Sequence, residues 1–126
     1  MLKIEYYYNN KDLSTQVREE IRNIDNDNII TRLYAIIVHV ATNQGKTNSV
    51  FTKNIKGYHF SEIRIKFSSQ LYRLLYFIWK DEKMTLLHLF VKKEGEKTPV
   101  KELGIAENRY SGFINNYKKY EQEKKQ

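Results

Sequence analysis

Cysteine is absent from the 126 residues, which excludes a disulfide framework, thiol redox chemistry and thiolate-held metals; a reducing cytoplasm is compatible with this. Glycine occurs only 5 times and proline once. No glycine-rich phosphate loop, nucleophile elbow or hydride-cofactor fingerprint is present, and there is no low-complexity segment or internal repeat. Histidine occurs 3 times. The one close histidine–carboxylate pair, His59 and Glu62, stands at a three-residue offset that points to opposite faces of a strand, so neither a metal nor another cofactor is expected. No long hydrophobic run exists either. Met1 to Glu5 lacks the apolar centre of a signal peptide, and the run before Trp79 is short and broken by Arg73. A soluble, cytoplasmic chain with no membrane partner is expected.

Acidic residues are also in short supply: 15 against 22 basic ones, a formal net charge of +7. Residues 1–55 carry 7 basic and 6 acidic side chains, and residues 56–126 carry 15 and 9, so nearly all of the excess lies in the second half. A surplus so placed favours a polyanionic partner, nucleic acid foremost, although a lysine-rich solvated surface would produce the same count. The length suits a single domain, residues 1–126, able to bury one core.

The strongest pattern is a hairpin. Leu71 to Trp79 and Met84 to Lys93 are rich in β-favouring apolar residues, with the charged turn Lys80 to Lys83 between them. Alternation puts Arg73 on the side of Leu71, Leu75 and Phe77, and puts His88 between Leu86 and Phe90 with Lys92 beyond. A cation among core-type residues needs a partner or a purpose. Upstream, His59 to Phe67 alternates, with Ile63, Ile65 and Phe67 on one face and Glu62, Arg64 and Lys66 on the other, and Ser68 to Gln70 connects it to the hairpin as an antiparallel meander.

Leu2 to Tyr8 reads as a first strand. Leu13, Val17, Ile21 and Ile24 recur at helical spacing, and a second helix follows with an apolar stripe from Ile29 to Ala41, Asp27 as its cap and Gly45 at its end. His39 beside that stripe reads as a packed core histidine. Thr42 to Gly57 is polar and reads as a loop. Thr98 as N-cap and Pro99 at the first helical position open a C-terminal helix, weakened by Gly104 and Gly112. The class is α+β: first strand, helix pair, three-stranded antiparallel meander, C-terminal helix.

Phe60-Ser-Glu-Ile-Arg64, Tyr72-Arg-Leu-Leu-Tyr-Phe77, Leu87-His-Leu-Phe-Val-Lys-Lys93, Lys97-Thr-Pro99, Glu102, Ala106 and Arg109, in that order, resemble the RelE/ParE toxin superfamily, and within it the HigB-like, phage-derived host-killing branch of type II toxin–antitoxin modules. The resemblance covers about half the chain. It implies a RelE-like fold and a metal-independent, ribosome-dependent endoribonuclease that cuts messenger RNA. It also implies a helix-turn-helix, HigA-like antitoxin in a heterotetramer that binds operator DNA. By the same resemblance Arg73 contacts the scissile phosphate, Lys92 and Lys93 line the same site, and Glu62 and Arg64 form the neighbouring wall. Val100–Lys101 carries no counterpart of the C-terminal tyrosine found in some members.

Cleavage by the RNA's own 2'-hydroxyl needs a base, a cation on the crowded phosphate and an acid for the leaving 5'-oxygen. Arg73 suits the second task, since a fixed guanidinium offers paired donors to phosphate oxygens; a salt bridge to Glu62 or Glu102 is its structural alternative. Glu62, Lys92, Lys93 and His88 are the proton-transfer candidates, and His88 is equally readable as a packed residue. Arg64, Lys66, Lys97 and Tyr72 are candidate RNA contacts. Tyr72, Tyr76, Trp79 and Tyr110 have the rings to stack on bases, or are core. A gyrase inhibitor like ParE and a non-catalytic basic binding module are the competing functions.

Overall fold

The computed structural model describes residues 1–7, 16–45, 51–80, 82–93, 95 and 99–124, without the side chains of 93, 120, 121, 123 and 124. In chain order the elements are β1 (Lys3–Tyr6), α1 (Gln16–Arg22), α2 (Asp27–Thr42), β2 (Thr52–Asn54), β3 (Ser61–Phe67), β4 (Gln70–Trp79), β5 (Lys83–Lys93) and α3 (Val100–Lys124). The five strands form one sheet in the order β1-β5-β4-β3-β2, antiparallel except where β1 joins β5 in parallel. The described residues therefore form a mixed α+β fold of three helices on a five-stranded sheet.

The near-continuous apolar run of β4 is explained by its central position, which buries both of its faces. Tyr72, Leu74 and Tyr76 point to the layer made by α1 and α2, where they meet Val17, Ile21, Leu33 and Ile37. Leu75 and Phe77 point the other way, against Ala106, Tyr110 and Phe113 of α3. Along that second face Phe77 meets Tyr110 and Phe113 edge-on, and Trp79 meets Tyr117 in the same manner, so the aromatic rings are packing residues.

Helix starts and stops follow local chemistry. Asn26, rather than Asp27, caps α2: its side-chain oxygen accepts from the backbone N–H of Asn28 at 3.0 Å and of Ile29 at 3.2 Å, and Asp27 is already helical, beside the positive end of the helix. At the other end the N–H of Gly45 donates to the Val40 carbonyl at 2.8 Å with φ +80°, and a β-carbon there would come within 3.0 Å of Ile78. Only glycine closes this end without strain. At the start of α3 the Pro99 carbonyl accepts from Glu102 and Leu103, while Thr98, Leu13 and the loop residues 46–50 lie outside the described residues.

Three expectations need correction. The polar segment read as a loop contains β2, whose three residues pair with β3 through Thr52–Ile63, Lys53–Glu62 and Asn54–Ser61; a strand so short and polar has no visible alternation. His39 is exposed near the end of α2 beside Asn43, not packed in the core. Strict alternation also fails in β5. Leu75 pairs with His88 but Tyr76 pairs with Leu86, so Leu87 is an extra residue, a β-bulge, and Leu86 faces away from His88, Phe90 and Lys92.

Gly104 and Gly112 both sit inside α3 with open space where a β-carbon would project. Gly104→Ala is expected to stabilise the protein by about 0.5–1 kcal/mol in urea unfolding followed by Trp79 fluorescence, because alanine loses less backbone freedom on entering a helix. A lower midpoint would mean that this turn of α3 is not helical in solution.

Candidate functional site

The bulge and the strand registers place nine side chains in a three-by-three grid on the α3 side of the sheet. Glu62, Leu75 and His88 form one row, Arg64, Arg73 and Phe90 the next, and Lys66, Leu71 and Lys92 the third. Four basic residues thus converge with one carboxylate outside the His88 corner. Tertiary contacts of α3 are densest over the first row and onward to Trp79, whereas the cations occupy the opposite end.

Arg64 and Arg73 face each other directly across two strands, a like-charge pairing that disfavours the sheet unless something offsets it. Glu62 does so. Its side chain is only 2% exposed; Oε2 accepts from Arg73 Nη1 at 3.1 Å, and Oε1 lies 3.9 Å from Arg64 Nε. Arg73 is 12% exposed and Arg64 31%. Burial pushes the pKa of the Arg73 guanidinium below its ordinary value and the charge of Arg64 pushes the same way, against the attraction of Glu62. The group remains a cation, held where additional negative charge is favourable. Of the two salt-bridge partners considered for Arg73, Glu62 fills the role and Glu102 is engaged elsewhere.

Lys92 is 8% exposed and stands diagonally across from Arg73, a separation of roughly 7–8 Å between backbones. Lys66 is exposed at the rim. The Lys93 backbone pairs with Gln70, its side chain lying outside the described residues, as does all of Lys97. Tyr72 does not join the group. It lies on the opposite face, its hydroxyl donating to Gln70 Oε1 at 3.2 Å, and it helps line a cleft of about 400 Å³ with Glu20, Asp25, Leu89 and Val91. Its adjacency to Arg73 in sequence is what separates them, since neighbours on a strand point apart.

His88 occupies a separate, enclosed corner. Nδ1 lies 2.9 Å from Glu20 Oε2, and Nε2 is hydrogen-bonded to Glu102 Oε2. Arg109 joins the group: Nη1 and Nη2 donate to Glu20 at 3.0 and 3.1 Å, and Nη1 donates to the Leu87 carbonyl at 2.8 Å. Four ionisable side chains from α1, β5 and α3 thereby partner one another, which is what half-buried polar groups require. His88 is a structural tie, with both ring nitrogens committed. Glu20 was invisible to sequence reasoning because nothing local links it to a histidine 68 positions away.

Burial alone would raise the pKa of Glu20, but the hydrogen bonds from His88, Arg109 and the Leu89 N–H outweigh it and hold the group below its ordinary 4.5. A carboxylate whose pKa is lower in the folded state contributes stability above its unfolded value, and that contribution is lost as pH falls through the folded value. Glu20→Gln should therefore unfold more easily than the parent at neutral pH. The difference should shrink as pH falls below the ordinary glutamate value and through the lower folded-state value, where the parent's carboxylate protonates. Parallel stability–pH curves for the two would contradict this.

Among the described residues no helix is long and apolar enough to cross a membrane. The model of the family described as Phage derived protein Gp49-like (DUF891) matches residues 12–111, which takes in every grid residue and Arg109. No curated protein matches the chain.

Proposed function

Because the chain belongs to the phage-derived Gp49-like family, a toxin-like family related to the RelE/ParE toxins, we propose that it is the toxin of a toxin–antitoxin pair and acts as a metal-independent endoribonuclease on messenger RNA. The observation that carries this reading is the convergence of Arg64, Arg73, Lys66 and Lys92 around one buried carboxylate at one end of the sheet face.

In the proposed reaction the 2'-hydroxyl loses its proton and attacks the adjacent phosphorus, and the bond to the 5'-oxygen breaks as that oxygen gains a proton. The products are a 2',3'-cyclic phosphate and a free 5'-hydroxyl. Arg73 stabilises the additional charge on the phosphate oxygens, a task for which a pre-placed guanidinium needs little reorganisation. Glu62 is assigned to aiming Arg73, because its own oxygens already face two arginines. Lys92 is assigned to proton transfer, and Arg64 and Lys66 hold the flanking phosphates as point contacts that carry no base preference. Neither His88 nor Tyr72 enters the chemistry, one being tied to two carboxylates and the other lying on the far side of the sheet. Action on ribosome-bound messenger RNA, and neutralisation by a HigA-like helix-turn-helix antitoxin in an operator-binding heterotetramer, complete the proposal; a cationic surface of this kind attracts an acidic cover as readily as RNA.

Arg73→Ala is expected to abolish growth arrest on induction and to lower RNA cleavage by at least about a hundredfold, the usual effect of removing a donor to transition-state charge. Because the truncation leaves Glu62 buried without this partner, Arg73→Lys should be run beside it. It keeps the charge but loses the paired donors, and is expected to fold like the parent while recovering little activity. Growth arrest that persists in both variants would refute the assignment.

A further inference from the structure

We propose that Arg109 and Glu20 are positioning residues for the cationic face: they hold the bulge of β5 in place and so keep Phe90 and Lys92 on the side of the sheet that carries Arg73. The significance of the face rests on the function proposed above, but the structural argument does not.

A one-residue change of register moves every later side chain of a strand to the opposite face. Met84 and Leu86, before the bulge, face the α1–α2 layer, whereas Phe90, after it, packs on the α3 side. Were the extra residue absorbed, Lys92 would turn toward the side occupied by Tyr72 and the grid would lose its third row. The pairing of β1 with β5 ends at Leu86, so beyond it the peptide groups on that edge of β5 have no strand partner among the described residues and must be satisfied by other means. Here side chains from two helices meet that need on either side of His88: Arg109 of α3 donates to the Leu87 carbonyl at 2.8 Å, and Glu20 of α1 accepts from the Leu89 N–H at 3.1 Å. The two clamps are themselves joined by a two-point ion pair. The Arg109 guanidinium also lies over the Tyr7 ring, 5.4 Å from its centroid, which fixes it further against the end of β1. Glu102 closes the arrangement through His88. The strand is thus gripped from both helical layers directly after the bulge, at the two peptide groups that flank His88.

The test compares the full chain with Arg109→Ala, Arg109→Lys and Glu20→Gln, and with Ile37→Val as a control that loosens the core elsewhere. Three readouts are taken: amide exchange at Leu89, reductive methylation of Lys92 by mass spectrometry, and cleavage of messenger RNA bound to translating ribosomes. In Arg109→Ala, Leu89 exchange is expected to accelerate at least tenfold and Lys92 methylation at least threefold, beyond any change in the control. Arg109→Lys should recover part of both effects, and Glu20→Gln should shift them in the same direction; it decides the matter if Arg109→Ala does not fold. At saturating RNA, kcat should fall at least tenfold with KM within threefold. Leu89 and Lys92 that behave as in the parent, or no differently from the control, overturn the proposal, as does an unchanged kcat in a parent that cuts RNA. A parent that leaves RNA intact removes the proposed function alone, and exchange and labelling still decide whether the bulge is held in this way.

Discussion

The single extra residue in β5 decides which of that strand's side chains join the α3 side of the sheet. Two long antiparallel strands of alternating side chains can present a row to a given face in only two ways, and the bulge at Leu87 selects which one applies beyond it. Before the bulge, β5 contributes Met84 and Leu86 to the helix pair; after it, the same strand contributes Leu89 to that layer and Phe90 to the other. One strand therefore serves an apolar core along its first half and completes a cationic surface along its second.

Electrostatics and packing divide this face between them. Toward Trp79, aromatic rings and the stripe of α3 remove the sheet from water, and toward Gln70 arginine and lysine replace them. The boundary carries the buried polar groups: Glu62 between two arginines, and His88 between two carboxylates. Each arrangement joins charges of opposite sign where the surroundings are too dry to leave one alone. Their roles differ. The Glu62 group leaves more positive than negative side chains on an accessible face, whereas the Glu20–His88–Glu102–Arg109 group closes on itself and joins three elements.

Much of this was legible from local pattern. The hairpin, the alternation of Glu62, Arg64 and Lys66 against Ile63 and Ile65, and the stripe of α2 all appear where periodicity placed them, because each reflects a repeat of two or of about 3.6 residues. Failures came where local pattern carries no information. β2 is too short to alternate, Tyr72 has a ring suited to stacking on bases but lies on the face opposite Arg73 because neighbouring strand residues diverge, and His39 falls on the solvent side of a helix whose stripe it adjoins.

Residue order by itself determined the class of fold, the excess of positive charge and the common face of Glu62, Arg64 and Lys66, since these follow from composition and from periodicity within one segment. Only tertiary structure decided that Arg73 pairs with Glu62 rather than Glu102, that Lys92 shares its face, and that His88 is held between Glu20 and Glu102. The reason is physical: a bulge depends on which residues of two strands meet, and a buried ion pair depends on which helices converge, so neither exists until distant segments of the chain have come together.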